Sequence, residues 1–568
     1  MEDPERAGGA SAVTHRFRQV AERVVDGLLE TAPETATALG DHRFDDRLDD
    51  LSAAGVAERV DVLRDALQAL DAVDDEGLDV ADRVDLEILR TAVAADLWRL
   101  EELREHEHDP LVHLPGEALY PLLVRGTGEP AARVAAVAAR LAAIPHRLDI
   151  ARAQLHAMSR VHVETAIGQA RGVLDLLGDD LEALLHRAPA ARSQVDAVRP
   201  AAADALERFA RWLESSLPDS DADPRLGEQR FAAKLWYTLD TETSPDALLT
   251  RAESDLQAVE EEIAELAADI AGAPPRPGQV REVLDLIAAQ APVTDATILP
   301  LCREALEHVT SRVRELDLVT VPDDPVEIVV MPASRRGVAV AYCDPPGPLE
   351  PPGPDGNPAP TLFAVAPTPP GWPAESVRSF YREYNGHMVR DLSAHEGVPG
   401  HVLQLAHAAR HRGGTRVRSA FRSGPFVEGW AVYAEELVAA AGLGPGGSDL
   451  DAADAALRMQ RLKLLLRSTI NAVLDVRVHA HGMTQDEAMR LMIERGHQEQ
   501  GEAAGTWRRA LLTSAQLSTY YVGYHEVRDI VTQLTAASPG ARERQVHDAV
   551  LAHAAPPPRH LRRLLDLT

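Results

Sequence analysis

Aromatic residues are scarce in this chain: Phe, Trp and Tyr together make up 4% of its 568 residues. A core must therefore be built mainly from Ala, Leu and Val, which suits packed helices. There is apolar material enough for a large core, since hydrophobic content is 45% against 26% charged. Cysteine is nearly missing. Cys302 and Cys343 are the two thiols, neither lies in a C-x-x-C pattern, and a disulfide framework is excluded. Positive charge is in deficit, with 58 Lys and Arg against 89 Asp and Glu, a formal net charge of −31. Nucleic acid and anionic membranes should repel such a chain, so neither is expected as a partner. No apolar run is long enough to span a bilayer. The opening MEDPERAGGA has neither a basic n-region nor an apolar h-region. These features, with the reduced cysteines, predict a cytoplasmic protein.

What is present is helical periodicity. Phe17, Val20, Val24 and Leu28 share one face of a helix over 15–30, and Leu256, Val259, Ile263, Leu266 and Ile270 share another over 250–270. Segments 130–160 and 192–215 read alike, and no internal repeat of fixed period emerges. One region differs. EIVVM (327–331), GVAVAYC (337–343) and TLFAVA (361–366) are β-branched and bounded by Gly and Pro. They predict a small sheet, with a Pro- and Gly-rich loop over 344–360 and a helix over 376–392 leading out of it. The expected fold is mostly α: a large helical domain with a deep central cleft and one small sheet beside the active site. Its parts would be a disordered tail (1–14), an N-terminal helical half (15–320), the sheet and loop (321–370), and a metal-binding half (371–568).

The stretch AHEGVPGH (394–401) poses a spacing problem. The zinc-peptidase pattern H-E-x-x-H puts two histidines four apart, on one helix face. Here His401 follows His395 by six residues, about 240° around an ideal helix. Pro399 lies inside the interval, lacks an N–H and clashes with the carbonyl of His395, while Gly400 tolerates a distorted backbone. A bulge absorbing two residues would return His401 to the face of His395. A third ligand is then needed, with one position left open. SGPFVEGWAVYAEEL (423–437) supplies Glu428 in the first turn of a helix and Glu435 seven residues on. The predicted set is His395, His401 and Glu428 on one Zn2+, with Glu435 as reserve ligand or as the partner orienting a histidine. Glu396 is placed to act as general base. Among 22 histidines and 89 acids such a pairing can also arise by chance, and a Glu-rich helix is commonly a solvated face.

HEGVPGHVLQ (395–404) and EGWAVYAEEL (428–437) resemble the paired motifs H-E-x-x-P-G-H and E-G-W-A-x-Y-x-E. These mark a bacterial domain-of-unknown-function family to which a zinc metallopeptidase activity is ascribed. ATALGDHRFDDRLDDLS (36–52) is similar to its N-terminal signature, and AQLSTYYVGY (515–524) to a late stretch carrying a tyrosine, here Tyr520, and a glycine, here Gly523. RSTINAVLDVRVHAHGMT (467–484) resembles a stretch with Arg467, Asp475 and His479. Ser514-Ala515 and Arg477 depart from the family pattern. The resemblance implies a helical, gluzincin-like fold similar to oligopeptidases and carboxypeptidases, with a substrate channel between two halves. Tyr520 or His479 would then stabilise an oxyanion and Arg467 would bind a substrate carboxylate. His407 and His411 read as surface residues or outer partners of the metal site.

The expected function is hydrolysis of peptide or related amide bonds in small or oligopeptide substrates. Two alternatives stand beside it: a catalytically silent helical binding protein, and a metal-dependent amidohydrolase acting on a non-peptide metabolite. The strand region is expected to wall the substrate cleft, with loop 344–360 as a lid.

Overall fold

The computed structural model describes residues 4–126, 128–332, 340–353, 356–369, 371–442 and 450–567. Helices dominate, and the described residues form one three-stranded sheet. The helix Pro245–Ala271 shows how the sequence does this. Ser244 caps it by accepting from the Ala247 N–H, Pro245 occupies its first turn, and Gly272 ends it at φ 60°. Leu248, Ala252, Leu256, Val259, Ile263 and Ala267 form its buried stripe. That stripe lies along the helix Leu450–His479, one of the two most extensive helix pairings in the molecule. The other joins Gly424–Ala440 to Ser518–Ala537.

Packing divides the chain differently from the expected boundary at 320. Residues 231–319 share a core with Ala394, Trp430, Leu466, Tyr521 and Leu561 of the C-terminal half. Residues 114–213 and 17–100 each form a separate core. The first helix runs Pro4–Glu30 and so extends into the stretch expected as a disordered tail. Phe17 and Val24 are buried in it as the periodicity predicts.

The sheet has β1 (Val326–Val330), β2 (Ala341–Asp344) and β3 (Thr361–Val365), in the order β1-β3-β2. β3 runs parallel to β1 and antiparallel to β2, with Cys343 opposite Phe363. Phe363, Ala364 and Val365 are all buried, as befits a central strand covered on both faces. Of the expected strand 337–343, residues 337–339 lie outside the described residues. The expected helix 376–392 is two helices, Ala374–Glu383 and Gly386–Glu396. Asn385 makes the break, because its side-chain oxygen accepts from the His387 and Met388 N–H groups and restarts the helix. Loop 344–360 is tied down at its start. Leu349 donates to the Leu39 carbonyl, Arg125 to the Pro345 carbonyl, and His42 bridges Asp45 and Glu350 at 2.8 Å each. The N-terminal signature thus holds this loop, so its first residues are a strap rather than a free lid. No helix among the described residues is long and apolar enough to cross a membrane.

Candidate metal centre

Glu396 is the last residue of its helix, and His401 is the first residue of the next, His401–Arg410. The four residues between them turn the chain, so the helix breaks where a bulge was expected. The Val398–Pro399 peptide is cis. Both glycines are required by close approach. A Cβ on Gly400 would lie 1.9 Å from the His395 carbonyl oxygen, and one on Gly397 2.5 Å from that of Ser393. The turn returns His401 to His395: the two rings stand edge to face, 4.8 Å apart and 89° between planes.

The facing helix Gly424–Ala440 brings Glu428. Its Oε2 lies 3.7 Å from His395 Nε2 and 3.5 Å from His401 Nε2. Among the described residues these three form the one cluster of His, Cys, Asp or Glu donors close enough to share a cation, all within 4.8 Å of one another. Donors about 2.1 Å from a tetrahedral ion sit about 3.4 Å apart, so the spacing suits one zinc-sized ion. Burial would raise the pKa of Glu428, but the two imidazoles outweigh it and hold the carboxyl far below its usual range. Burial would likewise lower the pKa of His395; Glu428 and Glu435 outweigh that and raise it well above the usual value.

Glu435, one of the most buried acids in the chain, accepts from His395 Nδ1 at 2.7 Å. That bond fixes the tautomer that leaves His395 Nε2 facing Glu428 and His401. Of the two roles predicted for Glu435, the geometry gives it the orienting one. Glu396 is buried beside the pair. Its carboxylate charge reaches Cys343 on β2, whose thiol is pushed well up, first by burial and then by Glu396.

The helix pair behind the site explains further motif residues. The Trp430 indole donates to the Pro399 carbonyl at 2.8 Å. A Cβ on Gly429 would strike Gly523 at 2.2 Å, and one on Gly523 would strike the Pro425 carbonyl at 1.9 Å. These glycines bring the two helices together as side chains would not permit.

The late residues behave differently. His479 is not brought to the cluster: its Nε2 is bound to the Ala510 and Thr513 carbonyls at 2.9 Å each, and its ring stacks on Phe231. It sits about 27 Å along its helix from Arg461, whose charge is felt by Asp391 next to the site. Arg467 pairs with Glu502 and donates to the Tyr384 hydroxyl at 3.4 Å, so it serves a structural acid. Tyr520 accepts from Arg509 at 2.8 Å and from Gln516 at 3.4 Å; no bond joins it to the three clustered residues. His407 and His411 bond the carbonyls of Thr320 and Ala552. Asp475 caps the helix Ser518–Ala537, accepting from the Ala515 and Ser518 N–H groups at 2.9 Å.

One residue near the site escaped the sequence reading. Asp391, one turn before His395, is wholly buried, and neither of its oxygens has a hydrogen-bond partner among the described residues. Burial and then the charge of Glu435 push its carboxyl well up. Its i−4 relation to His395 was the available signal.

Two solved structures share this fold. One, described as a "putative lipoprotein of unknown function" from Shewanella oneidensis, has a TM-score of 0.78 at 24% identity, over 97% of this chain and 100% of its own. The other, a "putative lipoprotein" from Colwellia psychrerythraea, has a TM-score of 0.75 at 16% identity, over 98% and 99%. No curated protein matches the chain. A family model described as "Bacterial protein of unknown function (DUF885)" matches residues 33–565, nearly the whole length, and the chain belongs to that family.

Proposed function

We propose that this protein is a zinc-dependent hydrolase of peptide or related amide bonds. One observation carries the reading: two imidazoles and one carboxylate from separate elements converge, the carboxylate 3.5–3.7 Å from each imidazole, with a buried glutamate fixing one imidazole from behind. Two nitrogens and one oxygen form a donor set suited to zinc with a coordination position left open. Zinc held there would polarise a carbonyl and make water more acidic. Glu396 takes the proton from the attacking water and passes it to the leaving amine. Glu435 keeps the proton of His395 on Nδ1. β2 is an edge strand among the described residues, paired on one side by β3, and Cys343 on it lies within range of the charge of Glu396. An extended substrate can add to that edge through main-chain hydrogen bonds.

The test is metal analysis of purified protein, then a mass-spectrometric screen of mixed peptides with and without chelator. Absence of stoichiometric metal sinks the reading. Metal without cleavage of any amide favours the silent binding protein, and cleavage of non-peptide amides alone favours the amidohydrolase. We also propose a cytoplasmic location, supported by two unpaired cysteines. Both similar structures are described by the words "putative lipoprotein", which favours export or anchoring, and cell fractionation decides between the two.

A further inference from the structure

Leu318, Thr320 and the C-terminal helix Glu543–Leu551 lie outside the paired motifs, yet they reach both helices that carry the candidate ligands. His547, on that C-terminal helix, is fully buried. Its Nδ1 is 2.7 Å from the Leu318 carbonyl oxygen, and its Nε2 is 2.9 Å from the Tyr433 hydroxyl. A carbonyl only accepts, so Nδ1 carries the proton. Burial holds the pKa of the ring below its usual value, which leaves the imidazole neutral and Nε2 a bare acceptor. The Tyr433 hydroxyl therefore donates to it. The same ring stands edge-on to Trp430, with 5.8 Å between centroids and 83° between planes. Asp548, the next residue, accepts from the Thr320 N–H at 2.9 Å and from its hydroxyl at 2.6 Å. The Thr320 carbonyl in turn accepts from His407 Nε2 at 2.7 Å. Residues 318–320 thus hold the helix His401–Arg410 through His407, and the helix Gly424–Ala440 through His547 and Tyr433.

The side of the helix that is gripped matters. At about 100° per residue, Glu428 and Glu435 lie within about 20° of each other around their helix, and Trp430 and Tyr433 lie roughly opposite, about 180° away. The ligand cluster sits on one side of the helix and His547 grips the other. Side-chain ends stand about 5–6 Å from a helix axis, so a turn of about 10° would carry the Glu428 carboxylate about 1 Å. A metal site tolerates only about 0.2 Å in its donor distances. Trp430 also reaches the Pro399 carbonyl at 2.8 Å, so the ring contact from His547 bears on the turn between His395 and His401 as well.

We propose that His547 is a positioning residue of the metal centre: its Nδ1-protonated imidazole links Leu318 to Tyr433 and so fixes the rotation of the helix Gly424–Ala440, and with it the aim of Glu428 at His395 and His401. This rests on the zinc site of the hydrolase reading, though not on the reaction performed there. His547 touches neither ligand nor substrate and acts through Tyr433 and Trp430. The tyrosine of E-G-W-A-x-Y-x-E, here Tyr433, thereby gains a partner and a task. A His547 that merely stabilised the fold would leave the donor geometry alone.

The experiment titrates zinc into the purified, metal-stripped full chain against a chromophoric chelator, and records the visible absorption of the cobalt-loaded protein. The variants are Tyr433→Phe, His547→Leu and the two combined, with His547→Gln as the conservative change, since an amide oxygen can accept where Nε2 did. Tyr433→Phe and His547→Leu should each weaken zinc binding roughly 10-fold and alter the cobalt bands. The double variant should bind no more weakly than His547→Leu alone, because both changes break one link. His547→Gln should recover part of the loss. His479→Ala, which costs stability away from the cluster, is the control and should match the wild type in zinc affinity and cobalt bands. Variants at 433 and 547 that match the wild type in both readouts overturn the proposal, as do losses that add in the double variant. A His479→Ala protein that shifts the bands equally overturns it too, because the effect then reports stability alone. Tyr433→Phe removes one oxygen and keeps the ring, so it carries the test if His547→Leu does not fold. A wild type that binds neither ion overturns the proposal together with the zinc reading, whereas metal bound with no amide cleaved sinks the hydrolase reading alone.

Discussion

The indole nitrogen of Trp430 donates to the carbonyl of Pro399 at 2.8 Å, and both residues are interior. Pro399 lies in the turn between His395 and His401; Trp430 follows Glu428 by two residues on the facing helix. One buried bond thus ties the two motifs that supply all three candidate ligands. Trp430→Phe keeps most of the apolar volume but strands the carbonyl. The expected cost is about 1–3 kcal/mol in stability. Chemical denaturation checks it. Zinc affinity should weaken as well, because the turn then holds His401 less firmly.

Glu435 acts through His395. Glu435→Gln keeps the shape but offers a weaker acceptor, and the amide can also present its NH2 group to Nδ1. Zinc affinity should fall about 10–100-fold, with stoichiometry at saturation unchanged. Competition against a chromophoric chelator measures this. Unchanged affinity would remove Glu435 from the site.

Glu396→Gln should retain metal and lose turnover by about 10²–10⁴-fold. Paired metal analysis and single-turnover assays distinguish the roles. Loss of metal together with activity would make Glu396 a ligand instead, and near-normal rates would free it of any role.

The meeting of the three candidate ligands was legible because the motif carried its own irregularity: a six-residue spacing and the Pro-Gly pair that resolves it. The form of the resolution was not legible. Whether a helix bulges or breaks depends on what meets the turn, here the Trp430 indole and the Leu306 side chain, which lies 2.6 Å from a Cβ at Gly397. The break at Asn385 was readable in principle, since Asn-Gly is a cap sequence, but the apolar pattern ran through it. Arg467, His479 and Tyr520 are bonded to partners outside the cluster, and the sequence hid those partners for one reason. Recurrence in a motif does not tell a residue that holds helices together from one that touches substrate. Only partners decide that, and those partners, Glu502, the Ala510 and Thr513 carbonyls, and Arg509, are remote in sequence or unmarked by it.

His479 is accordingly predicted to be structural. His479→Ala forfeits two bonds to carbonyls that close the helix Gln500–Leu512, together with a ring packed on Phe231. A loss of about 2–4 kcal/mol is expected. The rate per folded molecule should not change. A variant that melts normally yet turns over slowly would return His479 to the chemistry.

The strap on loop 344–360 gives the protein a pH dependence that can be assigned to one residue. His42 lies between Asp45 and Glu350, one contact at each ring nitrogen. The bond to Asp45 and then that to Glu350 raise its pKa from 6.5 to about 10. Both nitrogens must carry protons to satisfy both carboxylates, so the folded protein binds this proton more tightly than the unfolded chain does. The stabilisation is then fully present below pH about 6.5 and is lost as pH rises towards about 10. Its size should be modest and sensitive to salt, because the side chain is 36% exposed. Other groups titrate over the same range, so the informative quantity is a difference. Melting temperatures of the wild type and of His42→Gln should lie farthest apart near pH 6 and converge by about pH 10. Added salt should narrow the gap at the acid end. A gap that stays constant across that interval would mean that His42 is held neutral, and that the strap depends on its other bonds, those from Leu349 to Leu39 and from Arg125 to Pro345.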